Sequence, residues 1–395
     1  MPWDQDLSGL GQSIYTEEDV TLAREVLDGL FAEAGLPSAP ARPTGKNPSD
    51  ISLQWWSSGI GALSQTVYLA QTLYGLHQNV TRRSRRILYS KLRELLQLRG
   101  APFEDLLAEF RIAALLTDRF SPMALDPSVP KDLLVSPSRP ATCDYAIRLP
   151  DQDVFLEATV LRVQSLDRLN AALADANHTL ISHLRKSREG RLSISLGFQL
   201  SHQDVRPLTA AIKELLRSEA AEPFHRRPLD FPGGRLLYIS WEPIPHFASL
   251  SDLEESGFTG EVATIGDGVT SVAGVDWSLE PAVAQILEPS VVKSVLNKLK
   301  RKRDQFLYGG PYCLILALGN YRLRQDGILA KAQSCLASSP KLSWISAIAV
   351  FTPRVDFESP EARPRLTFGP NPRARFPLSS HFWDGVSRKA TYHLP

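Results

Sequence analysis

The chain has 395 residues, enough for two domains or for one core with a sizeable extension. An apolar share of 43% and a charged share of 22% are those of a globular protein and exclude fibrous and disordered classes. Lys and Arg (44) nearly balance Asp and Glu (43), which excludes a polybasic, histone-like binder.

No apolar run reaches the ~20 residues of a membrane span, since SAIAVF and YCLILAL are strand-sized. The first residues, MPWDQDLSGLG, lack the basic-then-apolar order of a secretory signal. Cys143, Cys313 and Cys335 make neither a CxxC pair nor an even framework, and each sits in or beside an apolar segment, where a buried structural thiol is expected. These features predict a soluble, cytoplasmic protein with no membrane partner. Basic residues are nevertheless bunched at Arg82-Arg83-Ser84-Arg85-Arg86, at His225-Arg226-Arg227 and from Lys298 to Arg303. Such clusters on a neutral chain suit phosphate contacts at a few places, or are simply solvated helix faces.

In chain order, residues 17–35 place acids first, then helical spacing, then Gly35 as a C-cap. A Pro/Ser/Ala-rich linker follows, then two more helical patterns, GALSQTVYLAQTLYGL and VTRRSRRILYSKLRELLQL. Residues 1–100 are therefore an α-helical N-terminal module without a visible chemical motif. From 101 to 395 the pattern is α/β. A helix begins at Pro102, with Phe103, Leu106, Leu107, Phe110, Ala113 and Leu116 on its apolar side. TCDYAIRL, PDQD and VFLEATVL read as a β-hairpin. Helix SLDRLNAALADANHTLISHLRKS, strand SISLGFQL, helix VRPLTAAIKELLRS, strand RLLYISWEP and the β segment EVATIGDGVTSVAGVDW come next. Helix VVKSVLNKLKRKRDQFLY, strand YCLILALG, helix ILAKAQSCLAS, strand WISAIAVFT and an Arg/Pro-rich tail complete the chain. This alternation predicts a mixed sheet flanked by helices.

The hairpin carries carboxylates where an apolar strand does not ordinarily tolerate them. Phe155, Glu157 and Thr159 share one strand face. A turn centred on Pro150-Asp151 sets Asp144 directly opposite Glu157. A turn on Asp151-Gln152 sets it opposite Thr159 instead, and a loop one residue longer separates the acids. Two carboxylates on one sheet face repel unless a cation lies between them, and oxygen-only ligation suits Mg²⁺ or Mn²⁺. The rival reading makes Asp144 a strand cap and Glu157 a partner of a surface arginine such as Arg148. Farther along, Lys298, Lys302 and Gln305 stand at i, i+4 and i+7, one face of a helix leading into YCLILAL, or an ordinary solvent face. No HxxxH or HExxH spacing, no GK[ST] loop and no G-x-S-x-G elbow occurs.

The order helix-Glu, strand-Asp, strand Glu-x-(Lys or substitute), then a helix with Lys and Gln resembles the PD-(D/E)XK nuclease superfamily. More narrowly, it is similar to bacterial members whose Glu-x-Lys strand reads Glu-Ala-Thr. The matching pieces are PFEDLLAEFRIAALL, CDYAIRL, VFLEATVL, NKLKRKRDQF with GPYCLILALG, WISAIAVF and FGPNPRARFPL, which together cover most of residues 102–380. The resemblance implies a restriction-endonuclease-like sheet and a metal held by Asp144, Glu157 and the carbonyl of Ala158. Glu109 would contribute directly or through a water, with Glu104 as fallback. Thr159 replaces the usual lysine and cannot supply a positive charge. Lys302 is the expected substitute and Gln305 a partner for a phosphate oxygen or the attacking water. The implied activity is Mg²⁺- or Mn²⁺-dependent hydrolysis of DNA, endonucleolytic, in defence against foreign DNA. RRSRRILYSKL is the natural place for phosphate contacts in the helical module, which could also meet a partner protein or a second copy in a homodimer. The rival function is a nuclease-like fold that has lost catalysis and serves as a nucleic-acid-binding or assembly subunit.

Overall fold

The structure is a computed structural model that describes residues 17–36, 49, 51, 60–134, 141–161, 164–187, 190–219, 222–243, 261–265, 268–280, 293–295, 297–298, 309–318, 325–352 and 364–387. It is an α/β protein that divides into two compact units. One joins Met1–Leu161 to Ser294–Pro395, and the other is Arg162–Lys293.

The first unit begins with helices α1 (Glu17–Glu33), α2 (Ile60–Asn79), α3 (Arg82–Leu95) and α4 (Gly100–Arg119). Acids at the start of α1 favour its positive end. Gly35, at φ +68°, ends the helix as the sequence implied, and Leu36 donates its amide to the Phe31 carbonyl at 2.8 Å. Thr81 caps α3 by accepting the Ser84 amide at 3.3 Å. On α4 every residue from Leu106 to Thr117 is buried except Glu109, so this helix is packed on all sides. Even Arg111 is enclosed, donating to Gln65 Oε1 at 2.8 Å with its guanidinium 4.7 Å from the Tyr68 ring centre.

That all-round burial explains why the units do not divide at residue 100. One apolar core runs continuously from Leu27 and Leu73 through Leu88 and Ile112 to Leu156 and Ile315. The N-terminal helices and the first sheet are a single unit.

The sheet contains β1 (Met123–Leu125), β2 (Tyr145–Arg148), β3 (Asp153–Leu161), β9 (Tyr312–Leu318), β10 (Ala347–Thr352) and β11 (Arg365–Pro370) in that spatial order. The three strands β3, β9 and β10 are parallel, and the flanking pairs are antiparallel. Buried on both faces, β9 is apolar throughout, as a central parallel strand should be. Leu156, Cys313, Ile315, Ala349 and Phe351 belong to the core shared with the N-terminal helices. Helix α7 (Gln325–Ser338) packs on β10 and β11. Its Gln333 side chain lies so near Gly369 that a Cβ there would stand 2.5 Å away. Helix α8 (Ser380–Val386) closes the unit with Phe382.

The second unit holds β4 (Gly190–Leu196), β5 (Phe224–Phe231), β6 (Arg235–Pro243), β7 (Glu261–Ile265) and β8 (Gly268–Leu279), in the order β5-β6-β4-β8-β7. Helices α5 (Gln164–Ser187) and α6 (His202–Glu219) pack on each other, and α5 packs on β8. Strand β4 alternates buried Leu192, Ile194 and Leu196 with half-buried Arg191, Ser193 and Ser195, the pattern of a half-covered sheet. A bulge between Phe224 and Arg227 puts Arg226 at φ +48° and lays its guanidinium over Tyr238. Beside it, Arg191, Ser193, His225, Ser240 and Glu242 line an open cleft of about 490 Å³. The single mixed sheet expected from the sequence is thus corrected to two mixed sheets, because β4 pairs with β6 and β8 and not with β3.

None of the three cysteines forms a disulfide. Cys143 and Cys313 are buried as expected, and burial pushes the Cys313 thiol far above its usual range, whereas Cys335 is only half-buried. Under native conditions a thiol-specific disulfide reagent should therefore modify Cys335 alone, and all three after denaturation. Rapid native reaction of Cys313 would contradict this packing.

Candidate functional site

The hairpin register is the first of those left open by the sequence. Leu149 donates its amide to the Gln152 carbonyl at 2.9 Å, closing a turn on Pro150-Asp151. The pairs Arg148↔Asp153 through Tyr145↔Leu156 follow. One step beyond the last pair, Asp144 stands opposite Glu157 at the open end of the hairpin. On its other side β3 pairs with β9, where Glu157 is level with Leu314. Glu157 is thereby enclosed between two strands and keeps only 8% of its surface exposed.

Asp144 lies past the end of β2, so its carboxylate turns toward the adjacent strand. Its Oδ2 accepts the Ala158 amide at 2.7 Å, a bond that favours the ionised form. The opposing influences are stronger. Burial, then the Glu157 charge, then the Glu109 charge push the Asp144 carboxyl up to about 7, against the pull of Ala158 and Lys91. Crowded carboxylates in a desolvated place repel one another, and either a proton or a cation relieves that repulsion.

Lys91 is a participant that the sequence reasoning missed. It reaches from α3 to Glu109 Oε2 at 3.0 Å and to Asp126 Oδ1 at 3.2 Å, with 20% of its side chain exposed. Burial alone would lower its pKa, but the Glu109 and Asp126 carboxylates outweigh that and hold it above the usual lysine value. Asp126 follows β1, and its amide donates to the Asp144 carbonyl at 3.0 Å. The Tyr145 hydroxyl donates to the Glu109 carbonyl at 2.9 Å, fastening the hairpin to α4. A signal for Lys91 was present, because it falls among Ser84, Leu88, Leu92 and Leu95 on the buried stripe of α3.

The structure therefore brings Asp144, Glu157 and the Ala158 backbone together and places Glu109 near enough to act on Asp144. Among the described residues no three His, Cys, Asp or Glu side chains form a ready-made metal cage, and Glu109 is engaged by Lys91. Glu104, the fallback, lies five residues earlier on α4. Lys298 is half-buried in a helical stretch, while Lys302 and Gln305 lie outside the described residues. Thr159 is half-buried two residues beyond Glu157.

Comparison of the chain with protein-family models, curated proteins and solved structures finds no match. Among the described residues no helix is long and apolar enough to cross a membrane.

Proposed function

We propose that the chain is a divalent-cation-dependent nuclease of restriction-endonuclease-like fold that hydrolyses phosphodiester bonds of DNA internally. The observation that carries this reading is Asp144 standing one step beyond the β2–β3 pairs, opposite the buried Glu157, where burial and then the Glu157 charge raise the cost of ionising Asp144. The donor set fits Mg²⁺ or Mn²⁺, since it consists of oxygens alone: two carboxylates, the Ala158 carbonyl and, on rearrangement, Glu109. A bound ion of this kind polarises a phosphate oxygen and lowers the pKa of a coordinated water.

The chain's own residues do the rest. Asp144, whose carboxyl is raised to about 7, would give up its proton when a cation is held between it and Glu157. The Ala158 amide fixes the orientation of the Asp144 carboxylate. Thr159 offers a hydroxyl for ordering water on the Glu157 face but no charge. Arg82, Arg83 and Arg86 point to solvent on α3 and supply backbone-phosphate contacts. A role in defence against foreign DNA, with a cytoplasmic location, agrees with an internal-cutting activity and is part of the same proposal.

The direct test incubates purified protein with supercoiled plasmid and Mn²⁺. Nicked or linear product that disappears in Glu157→Ala supports the nuclease. The neutral Thr159 at the lysine position favours a second reading, a binding subunit that has lost catalysis. That reading predicts an inert wild type that still retards DNA in a gel.

A further inference from the structure

We infer that Lys91 is a positioning residue of the acidic site, and that it acts through Asp126 on the backbone of Asp144. This deepens the nuclease reading and rests on it for the catalytic consequences only.

The case begins with the cost of placing a lysine there. Lys91 lies among the buried positions Leu88, Leu92 and Leu95, where an ammonium loses hydration and a long side chain loses rotamer freedom. It is held by carboxylates from two different places, Glu109 on α4 and Asp126 after β1. Asp126 has φ +41°, in the left-handed region that non-glycine residues seldom occupy, a strain on the order of 1 kcal/mol or more. The strained backbone allows one residue to make two connections at once. Its carboxylate meets Lys91, and its amide donates to the Asp144 carbonyl at 3.0 Å. Lys91, Asp126 and Asp144 therefore form a continuous chain from the N-terminal helices to the hairpin. A surface ion pair would need no such backbone, and its removal would leave Asp144 undisturbed.

Two consequences separate positioning from simple stabilisation. Without Lys91, Asp126 loses its anchor, its backbone relaxes, and the bond to Asp144 opens. The pocket also becomes more negative, so a divalent cation binds more tightly even as the geometry deteriorates. A residue with only a structural role would weaken cation binding and turnover together.

The test compares wild type, Lys91→Met, Lys91→Arg and Asp126→Asn. Asparagine tolerates the left-handed backbone while removing the charge Lys91 holds, which keeps the test decisive if Lys91→Met fails to fold. Hydrogen exchange at the Asp126 amide should be slow in the wild type and accelerated at least tenfold in Lys91→Met and Asp126→Asn. For plasmid cleavage, kcat should fall about 10- to 100-fold in both variants. The half-saturating Mn²⁺ concentration should fall a few-fold in Lys91→Met, which removes a positive charge, but not in Asp126→Asn, which removes a negative one, and Lys91→Arg should recover most of the lost turnover. Unchanged Asp126 exchange in the folded variants would overturn the proposal, as would full kcat. A wild type that neither cuts nor binds Mn²⁺ would instead remove the nuclease reading, and the exchange result alone would then decide whether Lys91 positions Asp144.

Discussion

Replacing Glu157 by glutamine is expected to lower Mn²⁺-dependent cleavage by more than about 100-fold, because outer-shell partners of a metal already cost ~10- to 100-fold and a direct ligand costs more. The same substitution should make the cation-free protein more stable at mildly alkaline pH. Asp144 has its carboxyl raised to about 7, first by burial and then by the Glu157 charge. Since the folded state holds this proton more tightly than the unfolded chain does, folding is favoured below the ordinary aspartate range. That advantage is lost as pH rises through about 7. Glutamine keeps the shape and removes the repelling charge, so its stabilising effect should be large above neutrality and fade toward acid. Urea unfolding at several pH values, alongside plasmid cleavage, reads both effects. A Glu157→Gln protein that still cuts, or that is less stable at every pH, would show that the carboxylate is structural.

The largest structural effect is expected from Phe382→Ala. Phe382 is fully buried on α8, a helix of seven residues that is too short to persist by itself. Its ring stacks on Phe120 at 5.1 Å between centres and meets Phe368 edge-on at 5.3 Å. Gly385, one turn on, is pressed so close to the same Phe120 ring that a Cβ would stand 2.1 Å from it. Truncation should therefore cost about 3–5 kcal/mol, through lost transfer energy and an unfilled cavity. Aromatic pairing adds roughly 0.5–1.5 kcal/mol per ring pair to what is lost. The urea midpoint reports it, and a shift corresponding to under about 1 kcal/mol would mean that α8 is not fastened by this residue.

The elements most legible in the sequence were those whose pattern serves one purpose. Helix α4 and strands β9 and β10 are apolar because they are enclosed, and VFLEATVL stands out by carrying Glu157 in such surroundings. The hairpin register depended on a choice between two turns that composition could not make, and the closing bond from Leu149 to Gln152 makes it. Strand β5 was read as a basic cluster, since His225, Arg226, Arg227 and Pro228 are all exposed and its bulge breaks the alternation. Those are the features of an edge strand, where charge and proline discourage further pairing. Three-residue β1 is too short to leave a period, and β11 was concealed in a tail whose Arg and Pro content suggested a loop.

Within the candidate site, Asp144 and Glu157 were visible because the two acids lie near each other in a local hairpin, whereas Ala158 came only with the family resemblance. Lys91 and Asp126 were not, because their role depends on α3, α4 and the segment after β1 meeting in space. The division into units was hidden for the same reason. That β4 pairs with β6 and β8, leaving β3 to β2 and β9, is a matter of long-range pairing that local periodicity does not encode.

Calorimetric titration of the cation-free protein with Mn²⁺, run on wild type and Glu157→Gln in buffers of different ionisation enthalpy, addresses the shared carboxylate pocket directly. Wild type should bind with release of about one proton, with affinity rising up to about tenfold per pH unit toward pH 7 and levelling above it, whereas the glutamine protein should bind weakly or not at all. Equal affinity and equal proton release in the two proteins would contradict a cation held between Asp144 and Glu157.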